Sequence, residues 1–466
     1  MKYKPTIGLE IHAELKTKSK MFCGCKNEPH ADEANIHICP TCLAHPGTLP
    51  RVNKEAVEFL TVIGRAVNGK VATYSEFDRK NYFYPDIPKA YQISQYAFPF
   101  VSGGEYDGVK LTRIHLEEDT ARSQHSDQKS IIDFNRAGVP LMELVTEPVI
   151  SDAKTAVKFA KELQLLLRTL EISNANMELG EMRVEANVSV SNTDVPNKNY
   201  VEVKNLNSFK VVEQAIDYEI TRQIDEITND RAIIKETRGW DEQKSCTFSQ
   251  RTKESAEDYR YFPDPDIPKF NLSEIYNSRE EEISAKLPNE IRALLKNLDI
   301  RDNQVENFLY EPALREFFFA VEKELGNDSS KKLAANYLTS DILGLLQNDD
   351  SLKLDLANVS VFVLLINMTA EGLINSRVTK DLLAEVVFAG KNPKNLAEER
   401  NLLQSSSKDE LLPVVEKIIA ENGSVVEEYK AGKETAIQYL VGQGMKATQG
   451  SINPAVLRDL LIEKLK

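Results

Sequence analysis

Ile7-Gly8-Leu9-Glu10-Ile11-His12-Ala13-Glu14-Leu15 alternates apolar and polar residues with hardly a fault. Alternation with a period of two marks a β-strand that buries one face and leaves the other open. The open face carries Glu10, His12 and Glu14. A solvated strand face usually avoids setting like charges side by side, because they repel. Clustered carboxylates with an imidazole suit a hard divalent cation and the phosphates held through it. An acidic solvent face is the other reading, and this strand alone does not choose between the two.

Other segments repeat the pattern. Met182-Arg183-Val184-Glu185-Ala186-Asn187-Val188-Ser189-Val190 sets Arg183, Glu185, Asn187 and Ser189 on one face. After a polar loop, Val201-Glu202-Val203-Lys204-Asn205 sets Glu202 beside Lys204, and the two runs are expected to pair like a hairpin. Arg113-Ile114-His115-Leu116-Glu117 alternates until Glu118 and Asp119 bring three acids in succession. Leu141–Glu147 places Glu143 inside an apolar run, where an ionised carboxylate is costly unless paired or metal-bound. The expectation is an antiparallel sheet, covered on one face and lined on the other with Glu, His, Lys and Arg. Such a face is a floor for magnesium and nucleotide phosphates, with Lys and Arg offsetting the charge that develops in phosphoryl transfer.

At 466 residues the chain exceeds a single core and should form roughly two to four domains. No apolar run reaches the roughly 18 residues of a membrane span, and Met1–Pro5 has no apolar signal core, so a cytoplasmic protein is expected. The net charge of −14 argues against a non-specific polyanion binder, while a local basic face could still hold RNA.

Residues 1–287 read as strand-rich, and helices take over after Leu287-Pro288. The domains expected are 1–287, 288–403 and 404–466, with Leu402–Ser407 as a hinge between two helical units. Ser407 with Glu410 and Ser424 with Glu427 read as capping boxes, and Asn453-Pro454 as a cap followed by proline at the first helical position. Val456, Leu457, Leu460, Leu461 and Leu465 recur at helical spacing. Gly442–Gly450 reads as a glycine-punctuated loop. Gly64–Lys70 has the spacing of a phosphate-binding loop, but Val71 replaces the hydroxyl residue that would meet magnesium. The segment also closes a helical run, Lys54–Val67, so its amides would not face a phosphate.

Cys23-Gly24-Cys25 and Cys39-Pro40-Thr41-Cys42 account for four of five cysteines. Short paired spacings present four thiolates to one zinc ion, closing a tetrahedral site with no position open to substrate. His30, His37 and His45 lie close enough in sequence to replace a sulfur, and four incidental buried cysteines are the alternative. Arg79–Gln92 and Asp258–Asp266 interleave basic residues with aromatics and prolines. Tyr82, Tyr84, Lys89, Arg260 and Tyr261 are candidates for contacting unpaired bases or backbone, against packing in the core, and core packing is the reading for Phe83 and Phe262.

These segments together resemble the B-subunit (GatB/GatE) family of the tRNA-dependent aspartyl/glutamyl amidotransferases. The likeness rests on Gly8–Leu15, Asp78–Gln95, His115–Asp119, Asp133–Leu144, Val203–Ser208, Asp258–Pro265 and Val441–Ala447, and spans essentially the whole chain. It implies a translation enzyme, an ATP-dependent carbon–nitrogen ligase with glutamine as amido donor. ATP and magnesium phosphorylate the side-chain carboxylate of Glu-tRNA(Gln) or Asp-tRNA(Asn). Ammonia from the amidase partner, the A-subunit, then gives Gln-tRNA(Gln) or Asn-tRNA(Asn), and a small C-subunit completes a heterotrimer. The implied fold is α+β: an antiparallel-sheet catalytic domain resembling glutamine synthetase, then an all-α region of two helical domains whose tail touches tRNA.

By the same resemblance Glu10, His12, Glu118 and Glu143 hold magnesium. Glu185 stands behind them or on a second ion, Lys204 contacts phosphate, and Arg183, Arg136 and Asn135 line the cofactor pocket. Lys446 joins the tRNA-binding set, Glu14 is left as surface, and zinc at Cys23, Cys25, Cys39 and Cys42 braces the loop beside the first strand.

Overall fold

The alternation around Glu10 and His12 forms β1 (Lys4–Glu14), near the middle of a 10-stranded sheet. Its other long strands are β2 (Val109–Glu118), β3 (Pro140–Thr146), β4 (Met182–Ser191), β5 (Val201–Leu206), β6 (Glu236–Asp241) and β7 (Cys246–Thr252). They lie in the order β7-β6-β5-β4-β1-β3-β2, and the short strands Val101–Ser102, Lys70–Val71 and Glu105–Tyr106 complete the β2 edge. In this computed structural model the described residues are 3–126, 128–252, 258–272, 287–404, 408–448 and 454–465. The chain divides into two compact units, Met1–Pro288 and Asn289–Lys466.

The sheet is mixed, where an antiparallel one was expected. β5 and β6 run parallel while β4 and β5 pair antiparallel. The cause is the helix Phe209–Thr228 between β5 and β6, because a parallel pair needs a long crossover connection.

Ile7, Leu9 and Ile11 are wholly buried on the apolar face of β1, in one core with residues of α1 (Lys54–Ala66), α2 (Ala153–Thr169) and α3 (Phe209–Thr228). Burying each such side chain stabilises the fold by about 1.5–3 kcal/mol. Asn53, Asp152 and Ser208 cap the three helices with side-chain oxygens that accept first-turn amides. With helices on this face, the polar face is left for chemistry.

The regular elements among the described residues of Asn289–Lys466 are all helices, joined by loops. Gly442 and Gly444, expected in a loop, lie within the helix Ala436–Ala447. Gly444 is buried where a Cβ would come 2.5 Å from Leu457 Cδ2 and 2.9 Å from Ile418 Cδ1, so close helix packing overrides its poor helix propensity. The capping box at Ser424 does not form. The helix Gly423–Lys430 starts after Asn422, whose side chain instead donates to the Ile418 carbonyl of the preceding helix. Leu457, Leu460, Leu461 and Leu465 share a core with Leu411, Val415 and Leu440. Ser407, Glu410 and Asn453, named above as caps, lie outside the residues whose side chains are described.

Gly64 sits inside α1, and the chain turns out of the helix at Asn68 with φ +54. A Cβ on Gly64 would lie 2.7 Å from Val101 Cγ2 and 3.0 Å from Val71 Cγ2, both on stiff β-branched side chains. Gly64→Ala should therefore destabilise the protein by about 1–3 kcal/mol, although alanine favours a helix by about 1 kcal/mol. Urea denaturation checks this, and an unchanged or raised midpoint would contradict the packing.

Candidate functional site

The pairing register builds the polar face row by row. His115 of β2 lies opposite Glu143 of β3, Glu143 opposite His12 of β1, and His12 opposite Arg183 of β4. In the adjoining row Arg113 pairs with Val145, Val145 with Glu10, and Glu10 with Glu185. Glu117 opposes Leu141, which in turn opposes Glu14.

At the centre His12 Nε2 lies 3.3 Å from Glu143 and 3.5 Å from Glu117, while His115 Nε2 lies 3.4 Å from Glu143 and 3.9 Å from Glu117. Three overlapping triads each bring their ligand atoms within 4.8 Å of one another: Glu10/His12/Glu143, His115/Glu117/Glu143 and Glu10/Glu185/Glu202. Carboxylate oxygens predominate in these sets, which suits magnesium or manganese, and the imidazoles can complete the shell.

The electrostatics follow from crowding. Burial pushes Glu10 up to about 7, helped by the charges of Glu143 and Glu185. For His12 burial opposes the charged form but is outweighed by the hydrogen bond and charge of Glu143, then by Glu117, so it rises to about 9. Glu143 is held well below the carboxylate range, because His115 and His12 outweigh its burial.

Expected residues divide between this centre and other places. Glu10, His12 and Glu143 converge. Glu118 does not join them: it follows Glu117 on β2 and so points to the opposite side. Its carboxylate accepts from Lys89 Nζ at 2.7 Å and from the Ile93 amide at 3.0 Å. Lys89, expected to meet RNA, is thereby drawn inward, with its side chain only 12% exposed. Glu185 accepts from Lys204 at 2.7 Å, and Lys204 lies 3.8 Å from Glu202, so that lysine already neutralises two acids. Arg183 donates to Asp119 at 2.8 Å, and Arg136 binds the Thr120 and Ala121 carbonyls beside it. Asn135 is fully buried, where it accepts from the His37 amide and donates to the Glu33 carbonyl. Glu14, read as surface, is buried and pushed up to about 8, first by burial and then by the charge of Asp119.

Four contributors were not among the expected site residues: His115, Glu117, Arg113 and Lys80. Parity could have found the first two, because His115 and Glu117 share the face of β2 that opposes Glu143. Arg113 lies 3.7 Å from Glu143 and keeps a buried Nε without a hydrogen-bond partner. Lys80, on the short strand Asp78–Asn81, feels the charges of Glu117 and Glu143, which outweigh its burial and hold it charged.

The four sulfurs of Cys23, Cys25, Cys39 and Cys42 also gather within 4.8 Å and could hold a metal such as zinc. Cys42 Sγ accepts from the Cys39 amide at 3.1 Å, and the thiol is drawn down to about 5, chiefly by its hydrogen bond with Cys23. The nearby histidines have other neighbours: His37 bonds Glu28 at 2.8 Å and His30 lies 3.9 Å from Glu181. Gly138, at φ +85, passes Lys20 and Cys42, and its carbonyl accepts the Met21 amide, which fastens the cysteine loop to the sheet. Of the aromatic–basic candidates, Tyr84 and Arg260 are exposed, Tyr82 and Tyr261 are half-buried, and Lys446 is exposed near the end of its helix.

Residues 5–278 match the model of the GatB/GatE catalytic domain, and residues 317–465 match that of the GatB domain. Over 490 aligned positions the chain is 41% identical to the aspartyl/glutamyl-tRNA(Asn/Gln) amidotransferase B-subunit of Caldanaerobacter subterraneus, with 100% of both chains covered. The proteins of the same name from Thermodesulfovibrio yellowstonii and Clostridium novyi are 40% and 37% identical, again end to end. No helix among the described residues is long and apolar enough to cross a membrane.

The raised pKa of Glu10 bears on stability when no metal is bound. From pH 4.5 upward the unfolded chain ionises at this residue while the folded one resists until about 7, so a penalty on folding grows through that window and is complete above it. Glu10→Gln should therefore raise the denaturation midpoint at about pH 8 and leave it unchanged at about pH 4 in a chelator-containing buffer. A midpoint that falls at the higher pH would show that Glu10 is not crowded by other acids.

Proposed function

Since the chain belongs to the GatB/GatE family, we propose that its polar floor carries out the carboxylate activation of a tRNA-dependent amidotransferase. The observation that carries this reading is the convergence of Glu10, His12, His115, Glu117 and Glu143 at one patch, with cations on its borders. The substrates are misacylated Glu-tRNA(Gln) or Asp-tRNA(Asn), with ATP. A side-chain carboxylate has no leaving group that ammonia could displace. Its oxygen attacks the γ-phosphorus of ATP, the bond to ADP breaks, and an acyl phosphate results. Ammonia then forms the bond to the acyl carbon as phosphate leaves and a proton is released. Glutamine synthetase makes the same acyl phosphate.

Glu10, His12 and Glu143, with His115 and Glu117 adjoining, would hold magnesium, which would supply charge neutralisation for the phosphates. The protein's cations divide the remaining work. Arg113, with an Nε lacking a partner, is the side chain best placed to receive the transferring phosphoryl group. Lys204 holds Glu185 and Glu202 in place, and Arg183 and Arg136 fix the Asp119 end of the floor. Ammonia comes from the amidase partner, joined through the small third partner in a cytoplasmic heterotrimer. The tail, residues 404–466 with exposed Lys446, meets the outer part of the tRNA, and zinc at the four cysteines braces the loop fastened beside β1.

In the assembled complex, Glu143→Gln should abolish tRNA-dependent ATP hydrolysis while tRNA binding persists, and near-normal turnover would refute the assignment. Arg113→Ala should lower kcat by about 10²-fold with little change in tRNA affinity, the loss expected for one preorganised charge. An unchanged kcat would remove Arg113 from the phosphoryl site. Elemental analysis of the purified chain should return about one zinc per chain, the stoichiometry of a closed four-thiolate site. Far less zinc would leave the cysteines a packing role.

A further inference from the structure

Phe83 and Phe262, assigned to the core on sequence, stand in the open at 84% and 43% exposure. Leaving such rings in water forfeits the free energy that their burial would return. Both line one groove of about 640 Å³ together with Tyr82, Tyr259, Arg260 and Asp258. That volume is ample for a small organic group.

The groove is a built feature. Phe262 pairs with Arg79 across the short strands Phe262–Pro263 and Asp78–Asn81. The Arg79 guanidinium sits 5.9 Å from the Phe262 ring and is anchored by Asp264 and Asp266 at 2.8 Å each. Arg260 adopts φ +46, a left-handed conformation uncommon for a residue with a side chain. The Asn81 side chain holds it there, donating to the Arg260 carbonyl at 2.8 Å and the Tyr259 carbonyl at 3.2 Å. Strain over-determined in this way concentrates at ligand clamps.

The groove also adjoins the acid floor through Tyr259 and Lys80. Tyr259, which lines it, meets the ring of Tyr82 edge-on at 6.4 Å and that of Tyr261 at 6.1 Å. Lys80 Nζ lies 5.0 Å over the Tyr259 ring, and it is the same lysine that feels Glu117 and Glu143.

We propose that this groove receives the unpaired 3′ end of the aminoacyl-tRNA, with a base stacked on Phe83 and Phe262 and Arg260 on the adjoining phosphate, so that the attached amino acid reaches the floor. The proposal rests on the floor's reading above and adds how the end of the substrate is held. A chain of net charge −14 gains little from non-specific attraction to RNA. Base stacking suits it, because every base offers a π-face and the contact needs only one nearby cation. The charged and amide rim, with Arg260, Asp258 and Asn81 around two open rings, resembles a nucleotide platform more than a dry socket for an apolar peptide.

The test uses the assembled amidotransferase complex with two probes, a tRNA(Gln) transcript and the same transcript lacking its unpaired 3′ tail. Phe83 is so exposed that its replacement leaves folding aside. Phe83→Ala should weaken binding of the intact transcript about tenfold and leave binding of the shortened one unchanged, and Phe83→Trp should restore the loss. Arg260→Ala should show the same dependence on the tail. A fluorescent purine analogue at the 3′ terminus should be quenched on binding to the normal protein and not to Phe83→Ala. Equal losses on both transcripts, no loss on either, or release of the amidase partner from the complex in place of a loss of RNA binding would each overturn the proposal. The last result would make the groove a protein interface. Glutamate-charged tRNA(Gln) and ATP provide the control on the floor. If ATP hydrolysis responds to the charged tRNA while Phe83→Ala behaves normally, only the groove fails. If the normal complex shows no such response, the reading of the floor falls and the groove with it.

Discussion

Five carboxylates, from Glu10, Glu117, Glu143, Glu185 and Glu202, crowd one face of a sheet whose other face is sealed by helices. Like charges at this spacing raise one another's pKa and oppose folding unless something neutralises them. Much of the surrounding architecture answers that demand. Lys204 lies between Glu185 and Glu202, His12 and His115 both reach Glu143, and Arg113 and Lys80 approach from the borders. Glu10 has a weaker share of these partners and rises to about 7, while Glu143, between two imidazoles, stays ionised. The uneven result leaves Glu10 as the acid least compensated by its neighbours.

The same constraint explains the fastening of the segment Asp133–Leu144. Its first part ties down the cysteine loop through Asn135 and Gly138, and its last part carries Glu143 into the floor. A change in the cysteine loop would thus be felt at the start of β3, a few residues from the acid cluster. Lys20, wholly buried, donates to the Phe134 carbonyl and lies close to Gly138, which adds a charged tether to the same short stretch.

Alternation along β1, β2, β3 and β4 was legible because a period of two is local information, and from it the polar face follows. Choosing between Glu117 and Glu118 was not local. The choice depends on His115 lying opposite Glu143, a pairing between strands that the single chain does not display. Glu14 shows the same limit: its alternation placed it on the polar face, but its burial there, among the charges of Asp119, Arg183 and Arg136, is set by the fold. Gly444 and Phe83 departed from expectation in opposite directions. Close packing by Leu457 and Ile418 kept a glycine helical, and a groove kept an aromatic out of the core. For Gly444 tertiary contact outvoted the residue's intrinsic preference.

In the proposed reaction an activated carboxylate would also have to be kept from water, since hydrolysis of an acyl phosphate would waste the ATP that made it. The centre of the floor is buried, with His115, Glu117 and Glu143 each no more than 5% exposed. The hairpin of Asp78–Asn81 and Tyr91–Ser94 takes part in this. From it, Ser94 Oγ donates to Glu117 at 3.1 Å and Lys80 projects toward Glu117 and Glu143. Tyr82, Tyr259 and Tyr261 back that lysine with rings, and burial pushes the Tyr82 and Tyr261 hydroxyls upward, away from ionisation. Aromatic walls lower the local dielectric, which strengthens the charge contacts among these groups and would do the same for a phosphoryl group in the proposed reaction. The crowding of the acids is therefore answered from a neighbouring element: the hairpin brings both the Ser94 hydroxyl and the Lys80 charge to the floor.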